Sequence, residues 1–185
     1  MKYPNSNRTF QKRVSHANRG MDLEELINEA NNYYLSNNIA CIYKKYTPIG
    51  IIDVKEENGK KVITKAFFKE ASTLDYNGVY KGYYIEFDAK KTNNSSSFPL
   101  SNISNHQIDH IKNIIYHHGV IFLIIEMNKT YFLLDGSMLI DFINNNQRKS
   151  IPFSFIKEKG INIKIKRNIL NYIESLDILL GGNYE

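Results

Sequence analysis

The chain has 185 residues, 42% hydrophobic and 23% charged; at about 150 residues per domain it fits one compact domain, or one domain with a tail, and wholesale disorder and collagen-like repeats are excluded. Its single cysteine, Cys41, excludes an internal disulfide and a multi-cysteine zinc site and points to a reducing compartment. The net charge of +5, from 24 basic and 19 acidic side chains, matters only where it concentrates on one surface.

The excess is uneven along the chain. Residues 1–20 hold Lys2, Arg8, Lys12, Arg13 and Arg19 and no acidic residue, the composition of a flexible basic arm that lies along a phosphate backbone, or of a solubilising tail. This stretch is polar, without the apolar region of a secretory signal. Next, Leu23, Leu26, Ile27, Ala30 and Tyr34 recur at helical spacing, with Asp22 and Glu25 spaced as a capping box. Residues 39–46 read as a strand. Residues 51–56 and 61–68 flank Asn58 and Gly59, the strongest short-range hairpin signal. Lys55, Lys60, Lys61, Lys65 and Lys69 cluster around this hairpin. Phe67 and Phe68 offer faces for a nucleic-acid base, although strand alternation favours burying at least one of them. Residues 75–78 read as a turn, the second half of 79–91 alternates as a strand, and 92–97 form a polar loop.

Ile103, Ile108, Ile111 and Ile115 mark a second helix, with Ser104 and Gln107 spaced as cap and capping partner and Gly119 as its stop. His106 and His110 lie four apart on it; lacking an evident third ligand, they read as a surface pair rather than a zinc site. Residues 120–127 and 131–134 pair as strands across a turn at Asn128 and Lys129. Residues 120–125, the longest apolar run, fall far short of the ~20 needed to cross a bilayer, so the expectation is a soluble, cytoplasmic protein with no membrane partner. A short helix at 138–145, a strand at 161–165 and a last helix at 169–180 complete the chain. Arg148, Lys149, Lys157, Lys159, Lys164, Lys166 and Arg167 crowd this region, whereas Glu174, Asp177 and Glu185 leave the C-terminus acidic. The order of elements predicts an α/β or α+β architecture, a mixed sheet flanked by helices. If folding gathers the basic stretches on one face, nucleic acid is the leading partner.

Residues 84–90 carry the chemistry. Alternation sends Ile85, Phe87 and Ala89 to one face and Glu86, Asp88 and Lys90 to the other, with same-face neighbours roughly 6.5 to 7 Å apart. Asp75 sits in the turn before this strand. Two carboxylates hold a hard divalent cation such as Mg²⁺, which polarises a phosphate and lowers the pKa of a bound water, while a lysine orients that water or neutralises developing charge. Taken alone, an acidic residue two before a lysine is more often the mark of a solvated strand face.

The surrounding text is more specific. Residues 18–21 (NRGM), 68–82 (FKEASTLDYNGVYKG) and 85–90 (IEFDAK), with 97–100 (SFPL), His106 and Gln107, resemble the RecU family, the Holliday junction resolvases of Gram-positive bacteria and their wall-less relatives. The resemblance runs from the basic arm to about the last helix and is densest over 67–92. It implies a restriction-endonuclease-like fold, here as a nuclease domain over 21–185 behind the arm at 1–20. It also implies a homodimer that uses Mg²⁺, with Mn²⁺ as a substitute, to nick two opposed strands of four-way junction DNA. Carried over residue by residue, it assigns Asp75, Asp88 and Lys90 to catalysis, with Thr73, Asp75, Asp88 and Gln107 holding the metal and Lys90 stabilising the transition state. The hairpin at 50–69 corresponds to a stalk that enters the junction centre, and Arg19, Lys55, Lys60, Lys61 and Lys65 become its DNA-binding residues. A recombinase or branch-migration helicase is the implied protein partner. One departure stands out: the family usually has Glu at the position of Asp88 and an acidic residue, often Asp, at that of Glu86, so either the metal shifts or Glu86 assists. Plainer readings stay open for Gln107 as a helix cap, for Thr73 as a turn initiator and for Glu25 as a cap rather than a support of the site. A duplex-cutting nuclease of the same fold, or a non-catalytic junction-binding or recombinase-regulating module, are the rival functions.

Overall fold

A computed structural model describes residues 22–69 and 73–181. The expected arm, with Arg19, lies outside the described residues. Helix α1 (Leu23–Ser36) opens on Asp22, whose carboxylate accepts the Leu23 N–H at 2.9 Å. The edge strand β1 (Cys41–Lys44) follows, then the hairpin β2 (Ile49–Glu57) and β3 (Lys60–Phe68). Asn58 and Gly59 make its two-residue turn with φ of 52° and 72°, the left-handed pair that matches strand twist. Next come β4 (Tyr76–Tyr80), β5 (Tyr83–Lys91), β6 (Ser97–Pro99) and, after a short 3₁₀ turn, α2 (Asn105–Tyr116). Strands β7 (Val120–Met127) and β8 (Thr130–Asp135) are joined by Asn128 and Lys129, both left-handed. The remainder is α3 (Gly136–Asn145), β9 (Ser150–Pro152), α4 (Phe153–Lys159), β10 (Ile161–Ile163), β11 (Ile165–Lys166), β12 (Ile169–Leu170) and α5 (Tyr172–Leu179).

Six strands form the central sheet in the order β1-β4-β5-β7-β8-β10, with β5 and β7 parallel and the other neighbours antiparallel. A parallel neighbour requires a crossover, and β6, the 3₁₀ turn and α2 supply it. The sheet divides two cores. On one face, Leu26, Ile27 and Ala30 of α1 and Leu176 of α5 pack against Ile85, Phe87 and Phe122. Phe87 stacks between Tyr76 at 4.8 Å and Phe122 at 4.9 Å, an aromatic column across three adjacent strands. On the other, Ile111, Leu139 and Ile156 of the opposite helices cover Ile121, Leu123 and Ile125. The expected mixed sheet flanked by helices is the observed architecture.

The hairpin β2–β3 stands apart from this body: apart from Gly50, every residue of both strands is exposed. Its ladder carries irregularities at Ile51/Asp53 and Asp53/Val54, which twist the ribbon. Asp53 faces Lys65, Glu56 faces Lys61 and Glu57 faces Lys60, so three of its lysines sit opposite carboxylates, while Lys55 faces Val62. Neither phenylalanine is buried: Phe68 is 77% exposed, and Phe67 lies across Gly50, where an added Cβ would come within 2.4 Å of the ring. Alternation failed as a guide there because the ribbon has no core beneath it.

Other expectations shift by identifiable causes. Residues 75–78 are not a turn; β4 begins at Tyr76, and Lys81 and Gly82, with φ of 48° and 82°, make the reversal. Gly78 is there for proximity, since a Cβ would lie 2.1 Å from the Cys41 carbonyl oxygen and 2.6 Å from Ile42 Cα. Residues 169–170 pair with β11 before the last helix begins, and α4 has too few turns to show a period. Because backbone rather than a flexible side chain blocks the space, Gly78→Ala should cost about 1–3 kcal/mol. A urea unfolding midpoint indistinguishable from that of the unsubstituted protein would contradict this.

Candidate active site

Period-two geometry on β5 places Glu86 and Asp88 on the α2 face, opposite Ile85 and Phe87. Both carboxylates are deeply buried, Glu86 at 1% and Asp88 at 0% exposure. Asp88 Oδ2 accepts from Lys90 Nζ at 2.8 Å and from Gln107 Nε2 at 2.9 Å. Its Oδ1 has no hydrogen-bond partner. Asp75, immediately before β4, lies within hydrogen-bonding reach of Asp88. Burial first, then the hydrogen bond and the charge of Asp88, push the Asp75 carboxyl from its ordinary 3.8 up to about 7, against the pull of Lys90 and Lys44. Two carboxylates face each other at one end of the sheet, with a lysine at 19% exposure beside them.

Gln107, in the first turn of α2, serves two purposes. Its Oε1 accepts the Ser104 N–H at 3.1 Å while Ser104 Oγ accepts the Gln107 N–H, so the expected capping box is present. Its Nε2 donates to Asp88 and, at 3.0 Å, to the Thr73 carbonyl. The Thr73 hydroxyl turns the other way: it accepts from Lys45 Nζ at 2.5 Å and donates to Glu86 Oε1 at 3.1 Å. Only its carbonyl faces Gln107.

Sequence reasoning missed the depth of the Glu86 cluster. Glu86 accepts from Lys45, from Tyr84 at 2.7 Å and from His110 Nε2 at 2.9 Å, besides Thr73. Burial works to raise this carboxyl, but the bonds from Lys45, Tyr84 and His110 outweigh it and hold Glu86 below its ordinary value. His110 is therefore not a free surface residue but half-buried against Glu86, and an ionised partner puts the proton on its Nε2. His106 is exposed, and no group of three or more His, Cys, Asp or Glu able to hold a metal occurs among the described residues. Lys45 gave no signal in the sequence because it follows an edge strand and its partner lies 41 residues away. Glu25 is exposed on α1, away from this cluster's hydrogen bonds. Lys55, Lys60, Lys61 and Lys65 lie on the projecting hairpin and take no part in the hydrogen bonds of Asp88 and Glu86.

The donor set suits a hard cation: Asp75, Asp88 and the Thr73 carbonyl offer oxygen alone, and the unpartnered Asp88 Oδ1 is a buried acceptor lacking a donor. Glu86 differs from Asp88 in that both its oxygens already have donors, Lys45, Thr73 and His110 on Oε1 and Tyr84 on Oε2.

The family model described as RecU, Recombination protein U, matches residues 18–178. The chain is 43% identical to the Holliday junction resolvase RecU of Bacillus cytotoxicus, an alignment covering 97% of this chain and 98% of that one. It is 42% identical to the protein of the same name from Bacillus cereus, with the same coverage. Among solved structures, Archaeoglobus fulgidus Hjc, a Holliday junction resolvase, matches at a TM-score of 0.44 and 6% identity, covering 75% of this chain and 94% of that one.

The raised Asp75 carboxyl sets a pH dependence. Between its ordinary 3.8 and about 7 the folded chain holds more protons than the unfolded one, so this group lowers stability as pH rises and its full cost is present above about 7. Glu86 works oppositely: its contribution is full above its ordinary 4.5 and lost as pH falls through its lower folded value. In metal-free buffer, Asp75→Asn should therefore melt at a higher temperature than the unsubstituted protein at about pH 8, with the difference closing towards about pH 4. A difference that stays constant across that range contradicts the assignment.

Proposed function

Because this chain belongs to the RecU family, we propose that it is a structure-selective endonuclease that resolves four-way DNA junctions by paired, symmetric nicks. The observation that carries the reading is the convergence of Asp75, Asp88 and Lys90 at one end of the sheet, with a buried carboxylate oxygen left without a donor. Mg²⁺, with Mn²⁺ as a substitute, would be held by Asp75, Asp88 and the Thr73 carbonyl, while Gln107, the fourth residue that the family resemblance assigns, turns its Nε2 donor toward these groups and its Oε1 to Ser104, and so would hold the ligands rather than the ion. When bound, the ion polarises a phosphate and lowers the pKa of a coordinated water.

The chain's own residues supply the rest. Lys90, only partly exposed, holds its ammonium beside Asp88, where it donates to a phosphate oxygen or orients the attacking water. Gln107 fixes the Asp88 carboxylate and the Thr73 carbonyl relative to each other. The hairpin lysines, with Arg19 of the basic stretch, meet the converging phosphate backbones.

A homodimer follows from the task, since two opposed cuts need two identical sites related by a two-fold axis. The hairpin supports it: Ile49, Ile51, Ile52, Val54, Val62 and Ile63 are all exposed, more apolar surface than a lone ribbon in water should show. Sedimentation at micromolar concentration should give twice the chain mass, and Ile51→Ser with Ile63→Ser should shift the protein towards monomer. A monomer in the unsubstituted protein contradicts the proposal.

Incubation with a synthetic four-way junction and with linear duplex, each in Mg²⁺, tests the activity directly. Paired nicks on the junction are expected, with far slower cutting of duplex. Asp75→Ala and Lys90→Ala should each slow cleavage at least about 100-fold while still binding junction without metal. With about six phosphates engaged, log affinity should fall against log salt with a slope of roughly −5. Equal cutting of both substrates, or full activity in the Asp75 variant, overturns the reading.

A further inference from the structure

The Glu86 cluster joins four segments that the chain order keeps apart. Lys45 closes the segment entering the hairpin, four residues before β2 begins. Thr73 lies on the segment leaving it, five residues after β3 ends. His110 comes from α2, and Glu86 itself from β5. Backbone bonds tie the same two roots: the Lys45 N–H donates to the Asp75 carbonyl at 2.7 Å and the Lys69 N–H to the Pro48 carbonyl at 3.1 Å. Thr73 and Asp75 thus sit outside any helix or strand, with Leu74 between them buried in the core, and the polar side of this stretch is anchored through one buried carboxylate and one lysine. From Thr73 the chain of contacts continues through its carbonyl to Gln107 and on to Asp88.

We infer that Glu86 and Lys45 are positioning residues, a clasp that fixes both roots of the hairpin against β5 and thereby sets where the Thr73 carbonyl and Asp75 meet Asp88. This rests on the metal reading above. The clasp acts through other groups: Glu86 Oε1 takes Lys45, Thr73 and His110, its Oε2 takes Tyr84, and Lys45 is spent between Glu86 and Thr73. Its effect is to hold the irregular segment at a fixed distance from the strand. Groups that orient metal ligands in this way are typically worth about 10–100-fold in metal affinity.

The test measures Mn²⁺ binding by the protein alone, from the loss of free-ion EPR signal, beside junction affinity in EDTA and the unfolding midpoint. Lys45→Met and Glu86→Gln should weaken Mn²⁺ binding about 10-fold or more. Metal-free junction affinity should stay essentially unchanged, and excess Mn²⁺ should restore cleavage. Lys45→Arg, which keeps the charge and a donor to each partner, should recover most of the lost affinity. Should Glu86→Gln fail to fold, the Lys45 pair decides, because Lys45 is 22% exposed and its removal leaves Glu86 three other donors. Mn²⁺ affinity unchanged in Lys45→Met overturns the clasp while leaving the nuclease reading intact. Loss of junction binding and of stability in step with metal affinity, without rescue by excess ion, also overturns it, because it marks a merely structural role. No Mn²⁺ binding by the unsubstituted protein overturns the metal reading and the clasp together.

Discussion

Asp88 is shut away from water on β5 with Lys90 and Gln107 on one carboxylate oxygen and nothing on the other, while Asp75 faces it from the start of β4. A buried acceptor without a donor costs at least about 1–3 kcal/mol, and a second carboxylate nearby adds repulsion. Folding alone gives no reason to build such a pair. A cation between them would relieve both penalties, and without one a proton on Asp75 shared with Asp88 carries part of that load.

The rest of the molecule supplies the precision that this arrangement needs. The aromatic column through Tyr76, Phe87 and Phe122 locks the strands carrying the carboxylates from beneath. The parallel pairing of β5 and β7 obliges the chain to cross over the sheet, and that crossover brings the first turn of α2, with Gln107, over Asp88. Thr73 and Asp75, between the hairpin and β4, lie outside any helix or strand. Leu74 between them is buried in the core and the Lys45 N–H donates to the Asp75 carbonyl, so the polar contacts of Thr73 set the freedom that remains.

Legibility from the sequence followed the range of the physics. Alternation separated Ile85 and Phe87 from Glu86, Asp88 and Lys90, and the turn chemistry of Asn58 and Gly59 located the hairpin, because each signal acts over a few residues. The capping box of Ser104 and Gln107 was visible for the same reason. Gly78 misled as a turn residue because its cause, the backbone of β1, lies more than thirty residues earlier in the chain. Lys45 and His110 were invisible as partners of Glu86, since nothing local marks a side chain whose contact is made by tertiary packing. The resemblance to RecU named Thr73 without deciding between its hydroxyl and its carbonyl; the hydrogen bonds leave only the carbonyl facing the site.

The position of a bound divalent ion is the most direct measure of the site. Anomalous scattering from crystals of the protein grown with Mn²⁺ should show one strong peak at about 2.0–2.2 Å from carboxylate oxygens of both Asp75 and Asp88, the range for such ions. A well-ordered crystal with no peak between those two residues, or with the ion bound by other side chains, would contradict it.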